Sequence, residues 1–149
     1  MKPIRYFFLC SFILFLSTAC NKQIDAVVWG VYCGECETNC STIYQIKQGE
    51  LHVDKSDKFF DAIRNRDLHS YKFEGKQLSR DEYLKYEWVL GSVPDELFKY
   101  ELIVGQPDAH DQCGYFLRIF KAGEETNKLI DPEAVPKDIQ EFVYKLFTI

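Results

Sequence analysis

Three cysteines crowd into one short stretch of this chain, Cys33, Cys36 and Cys40, and a fourth, Cys113, stands far downstream. Four thiols allow three pairings: Cys33–Cys36 with Cys40–Cys113, Cys36–Cys113 with Cys33–Cys40, or Cys33–Cys113 with Cys36–Cys40. Every scheme ties the early cluster to Cys113. Closing a loop of some 70–80 residues restricts the unfolded chain by roughly 4–5 kcal/mol in the entropic account. That rivals the whole stability of a small domain, so the cysteines limit the fold more than any other feature.

Which chemistry those thiols take up depends on compartment, and the start of the chain speaks to it. Met1 to Arg5 is short and basic, Tyr6 to Leu16 is apolar apart from Ser11, and Ser17-Thr18-Ala19 is small and followed by Cys20. A basic segment, an apolar core of about 7–15 residues and a small-residue cleavage site make a secretory signal. The run is about half the roughly 20 residues that a membrane span needs. With the cysteine placed directly after the small residues, the segment resembles a bacterial lipoprotein signal. Leu16 lies one place earlier than that pattern has its leucine, and Ser17 stands in its place. The resemblance implies cleavage between Ala19 and Cys20 and acylation of Cys20. It divides the chain into a signal peptide at 1–19, a lipidated N-terminus and short tether at 20–25, and a single domain at 26–149. Several acyl chains anchor stably where one is marginal. The implied location is the cell envelope, lipid-anchored at the outer membrane or the periplasmic face, with disulfides as the default state of the four remaining cysteines.

Without residues 1–20 the chain keeps 129 residues, 16 basic and 23 acidic, for a net charge of −7. One domain of that size can bury a core. The acidic balance argues against nucleic acid, whose binding depends on Lys and Arg meeting phosphate. It argues equally against lying flat on an anionic bilayer.

Ala26 to Tyr32 reads as a buried strand or an extended entry segment leading into Cys33. Thr42 to Lys47 and Leu51 to Val53 flank a Gln48-Gly49 turn as a hairpin, and Tyr115 to Phe120 with Asn127 to Ile130 flank Gly123 as a second. Both hairpins follow a cysteine and carry a Lys-x-Gly turn, which hints at a repeated unit. Ser56 is placed to cap a short helix carrying Phe59, Phe60 and Ile63, and His69 to Phe73 reads as a strand. Ser79-Arg80-Asp81-Glu82 has the form of a capping box, with Leu84 and Trp88 on one face of the helix that follows and Gly91 as its stop. Pro94 opens another short helix. Ile139, Phe142, Val143 and Leu146 fall at i, i+3, i+4 and i+7, a helix with one buried stripe. Strand and helix do not alternate regularly. The expected class is therefore α+β: a small antiparallel sheet with helices on one face, stapled by disulfides.

Two other roles fit the cysteines. Cys33-Gly34-Glu35-Cys36 has the spacing of a thiol-redox site, although such sites place the first cysteine at a helix N-terminus, and here a third cysteine and a strand follow. The four thiols could also hold zinc tetrahedrally, with His110, between Asp108 and Asp111, replacing one of them; a second tight cysteine pair is missing. The chain has no Gly-rich phosphate loop, no His-Glu-x-x-His and no Gly-x-Ser-x-Gly.

Cys33, Gly34, Cys36, Cys40, Ile43 and Tyr44, behind a lipoprotein signal, also look like a group of small Bacteroidota lipoproteins with a Cys-Gly-x-Cys-x3-Cys motif. Pro107-Asp108, Asp111-Gln112 and Gly114-Tyr115 resemble a later loop of that group, with Gln106 and Ala109 where it has cysteines and Cys113 where it has glycine. The resemblance implies no activity; no cofactor is expected, with zinc as the alternative. The expected function is a membrane-anchored, non-catalytic binding or structural accessory role, with the membrane and an envelope protein as partners. A zinc or thiol-redox protein built on Cys33, Cys36, Cys40 and Cys113 is the first alternative, and an inhibitor or immunity-type protein is the second.

Overall fold

The computed structural model describes residues 23–107 and 112–148. A seven-stranded sheet forms the middle of the domain. Strand β1 (Ile24–Cys33) is central, with the hairpin β2 (Ser41–Lys47) and β3 (Glu50–Asp54) on one side. The hairpin β6 (Cys113–Lys121) and β7 (Glu124–Ile130) lies on the other. Two-residue strands close the edges, β4 (Lys76–Gln77) beside β3 and β5 (Ile103–Val104) beside β7. Only β5 pairs parallel; the other ladders are antiparallel.

The two expected hairpins are the two arms around β1. Each turns over two residues with positive φ, Gln48 and Gly49 in one, Ala122 and Gly123 in the other. Positive φ at both positions gives the type I′ geometry, whose twist matches that of the strands it joins. Lys47 faces Glu50 across the first turn and Lys121 faces Glu124 across the second. At Gly30 the neighbouring strand comes so close that an added Cβ would sit 2.1 Å from the Thr42 carbonyl oxygen, so only glycine fits.

Register sorts the core. Val27 and Trp29 of β1, Leu117 and Ile119 of β6 and Ile46 of β2 face one way. Val28, Tyr32, Ile43 and Phe116 face the other. The first face carries α2 (Arg80–Tyr86), α3 (Val89–Ser92) and α4 (Gln140–Thr148). Ser79 Oγ accepts from Glu82 N at 3.3 Å while the Glu82 carboxylate accepts from Ser79 N at 3.1 Å, the reciprocal cap read from the sequence. Trp29 stacks on Tyr44 and meets Tyr86, with ring centres 5.6 and 5.3 Å away.

The α+β class, the antiparallel sheet and the staples are as expected, but helix also covers the second face. There α1 (Lys58–Arg64) lays Phe59 against Tyr32, Tyr71 and Phe116. Three local expectations shift. Asp57, not Ser56, precedes α1. His69 to Phe73 forms no strand; a 3-10 turn at Leu68–Ser70 runs into extended chain, and the Tyr71 carbonyl bonds to buried Arg118 instead of a neighbouring strand. Leu84 is 45 % exposed, since the inward stripe runs through Tyr86 and Val89 instead; Gly91 lies inside α3.

Candidate functional site

β1 gives the domain two poles. Its first residue, Ile24, pairs with Lys121, and Ala26 pairs with Lys47, so both hairpin turns lie at the pole where the chain enters. Its last residue, Cys33, pairs with Cys113. Ten extended residues span about 30 Å, and every described cysteine lies at the far pole.

Of the three pairings open to the sequence, the structure has Cys33–Cys113 and Cys36–Cys40. The first joins directly opposed residues of β1 and β6, with Cα atoms 4.1 Å apart. Opposed residues of a non-hydrogen-bonded antiparallel pair approach this closely. The second closes the loop between β1 and β2. Cys33 N donates to Cys40 O at 3.0 Å, so Cys40 lies beside Cys33, and Asn39 adopts a left-handed φ of 57° just ahead of it. Cys40 N donates to Asp57 Oδ1 at 3.0 Å. Asp57 precedes α1 without capping it through its side chain; its carboxylate fastens the cysteine loop to α1 instead.

Loop and helix enclose a cleft of about 660 Å³ at this pole. Glu35, Cys36 and Glu37 form one lip; Phe60, Ile63 and Arg64 form the other. Phe60 is buried and the Arg64 guanidinium lies 5.8 Å over its ring. The cleft thus has an apolar floor, two exposed carboxylates on one side and one guanidinium on the other.

The Cys33-x-x-Cys36 pair is split between two bridges, so its thiols do not bond to each other. All four sulfurs are in disulfides. Among the described residues, no group of three or more His, Cys, Asp or Glu side chains is placed to hold a metal ion. Cys20, His110, Asp108 and Asp111 lie outside the described residues. Disulfides of this kind persist in oxidising, extracytoplasmic compartments. Among the described residues no helix is long and apolar enough to cross a membrane.

Buried charge is what the sequence reading missed. Asp54 is 3 % exposed and accepts from Ser56 N at 2.8 Å, Tyr71 Oη at 2.9 Å and Glu74 N at 3.4 Å. Burial works to raise its pKa, yet the hydrogen bonds from Ser56, Tyr71 and Glu74 outweigh burial and hold the carboxyl below its ordinary value. Tyr71 is pushed well above the ordinary tyrosine range by burial and by its bond to Asp54. Arg118, 5 % exposed, donates to the carbonyls of Leu68 and Tyr71 at 2.7 and 3.1 Å and to Asn127 Oδ1 at 2.6 Å, with Glu125 at 3.3 Å. Burial lowers its pKa against the pull of Glu125. Lys128, on the opposite face, is 4 % exposed, donates to the Tyr100 carbonyl, and has its pKa lowered by burial. The one available signal was position: Arg118 is the single charge inside the apolar run Tyr115 to Phe120. These groups hold chain in place, and none of them lines the cleft beside Cys36.

No protein-family model matches the chain, and neither a curated protein nor a solved structure matches it.

Proposed function

We propose that this chain is a cell-envelope lipoprotein, anchored through acyl chains on Cys20, whose domain is a non-catalytic binding or accessory module. Its working surface is the cysteine pole, turned toward an envelope protein partner. One observation carries the reading: the chain enters at one end of β1 and the cleft lies at the other. Three residues, Asn21 to Gln23, separate Cys20 from Ile24. A tether that short holds the two hairpin turns near the bilayer and leaves the cleft about 30 Å further out, the length of an extended ten-residue strand. Disulfides at the outer pole suit a surface that meets solvent and partners in an oxidising compartment. The acidic balance keeps the domain off anionic headgroups.

Metabolic labelling with an alkyne-bearing fatty acid tests the anchor. The native protein takes up label and fractionates with membranes, and Cys20→Ser does neither. A fluorophore attached at Gln48 or at Glu37, read against a headgroup quencher in vesicles, tests the orientation. Quenching at Gln48 and none at Glu37 is the expected pattern. Unlabelled native protein, or equal quenching at both positions, overturns the reading.

A further inference from the structure

The two bridges differ in what depends on them. Cys33–Cys113 spans 80 residues and joins strands inside the sheet; Cys36–Cys40 spans 4 and lies outside every ladder. Cross-linking restricts the unfolded chain in proportion to the logarithm of loop length, so the long bridge contributes far more to the fold. The short loop also keeps its seat without its own bridge, because Cys40 O accepts from Cys33 N and Cys40 N donates to Asp57 Oδ1.

Access differs within the short bridge as well. Exchange requires a thiolate to reach one of the two sulfurs. Cys40 is 3 % exposed, whereas Cys36, Cys33 and Cys113 are partly exposed, and of these three it is Cys36 that lines the cleft. Glu35 and Glu37, both exposed, flank it on the same lip.

We infer that Cys36–Cys40 is a thiol-exchange site, opened at Cys36 by a dithiol reductant that presents positive charge, while Cys33–Cys113 and the sheet stay intact. A thiolate of the reductant attacks Cys36 Sγ. The Cys36–Cys40 bond breaks, and Cys40 leaves as a thiolate that takes up a proton. The mixed disulfide is then attacked by the reductant's second thiolate, which closes the reductant's own disulfide and expels Cys36 as a thiolate that takes up the second proton. Two electrons and two protons pass from dithiol to protein. Glu35 and Glu37, the chain neighbours of Cys36, outnumber the single Arg64 guanidinium across the cleft, so the net charge there repels an anionic thiol and attracts a cationic one.

The test uses the purified full chain, with free thiols counted above the unreduced baseline. Stepwise dithiothreitol followed by maleimide and peptide mass spectrometry yields two new thiols, at Cys36 and Cys40, with the far-ultraviolet circular dichroism unchanged. Cys33 and Cys113, partly exposed but joined across the β1–β6 ladder, are released only at higher dithiothreitol. Opening rates with cysteamine and with 2-mercaptoethanesulfonate, corrected for thiolate fraction, differ by about fivefold at low salt in favour of the cation. The ratio falls toward one in 1 M salt and in Glu35→Gln/Glu37→Gln. Four thiols released together, Cys33 and Cys113 released first, or no release without denaturant overturns the exchange site. A rate ratio unchanged by the double substitution overturns the charge selection. None of these readouts involves Cys20, so the inference fails or survives apart from the anchor.

Discussion

On one face of the sheet Trp29, Leu117, Ile119 and Ile130 meet α2, α3 and α4 through almost wholly apolar surface. On the other, Val28, Ile43 and Phe116 meet one short helix and an irregular stretch that includes Leu68 and Tyr71. Helices satisfy their own backbone groups and need only an apolar stripe to dock. Irregular chain brings unpaired carbonyls and amides, which cost free energy when buried. The second face meets that cost with side-chain charge. Arg118 takes the carbonyls of Leu68 and Tyr71, and Asp54 takes the Tyr71 hydroxyl and the Glu74 amide. Where a domain lacks enough helix to roof its sheet, buried ions substitute for secondary structure as the partner of loop backbone.

Removing the arginine breaks this contrast most severely. Arg118→Met keeps the apolar stem but takes the guanidinium away from the Tyr71 carbonyl, leaves the Leu68 carbonyl only its bond from Tyr71 N, and is expected to destabilise by about 3–4 kcal/mol, the scale of a broken buried charge network. Urea unfolding followed by tryptophan fluorescence measures it, and hydrogen exchange should place the loosening at residues 65–75. Next comes Asp54→Asn, expected to cost about 2 kcal/mol near neutral pH, the range for a hydrogen-bonded charge. The folded-state pKa of Asp54 lies below its ordinary value, so the native state binds its proton later than the unfolded chain. Its contribution is complete above the unfolded value of about 3.9 and is lost as pH falls through the lower folded value. Native protein should therefore lose stability below about pH 4 more steeply than Asp54→Asn; parallel pH curves would refute the assignment. The smallest effect sharpens the comparison from the apolar side. Lys128 is an ammonium buried with a carbonyl partner, and its lowered pKa makes it a net cost at neutral pH. Lys128→Met should raise stability by about 1 kcal/mol, the surplus of relieved desolvation over the lost hydrogen bond. A loss on urea unfolding would show that the apolar face depends on its buried charge too.

Elements with a local cause were legible in the sequence. The hairpin turns, the Ser79 cap and the stripe of Ile139, Phe142, Val143 and Leu146 each follow from residues within a few positions of one another. The misplaced elements have distant causes. His69 to Phe73 carries strand-forming residues, but Arg118, some fifty positions away, claims the Tyr71 carbonyl a ladder would use. Leu84 and Trp88 share a helical stripe, but Tyr86 and Val89, three apart on another stripe, face the core, so Leu84 points outward. At the candidate site the four cysteines were visible and their pairing was not, because spacing cannot say which strands lie side by side. Register decides it: Cys33 opposes Cys113 only once β6 is known to flank β1. The cleft was invisible for the same reason, since its lips belong to a loop and a helix that meet through Asp57.

The placement of β1 also has a mechanical meaning. Tension applied ahead of Ile24 and resisted at the far pole runs lengthwise through a strand bonded on both flanks. Its hydrogen bonds then bear load side by side, as in a lap joint, and cannot be peeled singly. Cys33–Cys113 rivets the far end of that joint, so β1 cannot slip past β6 before a covalent bond gives way.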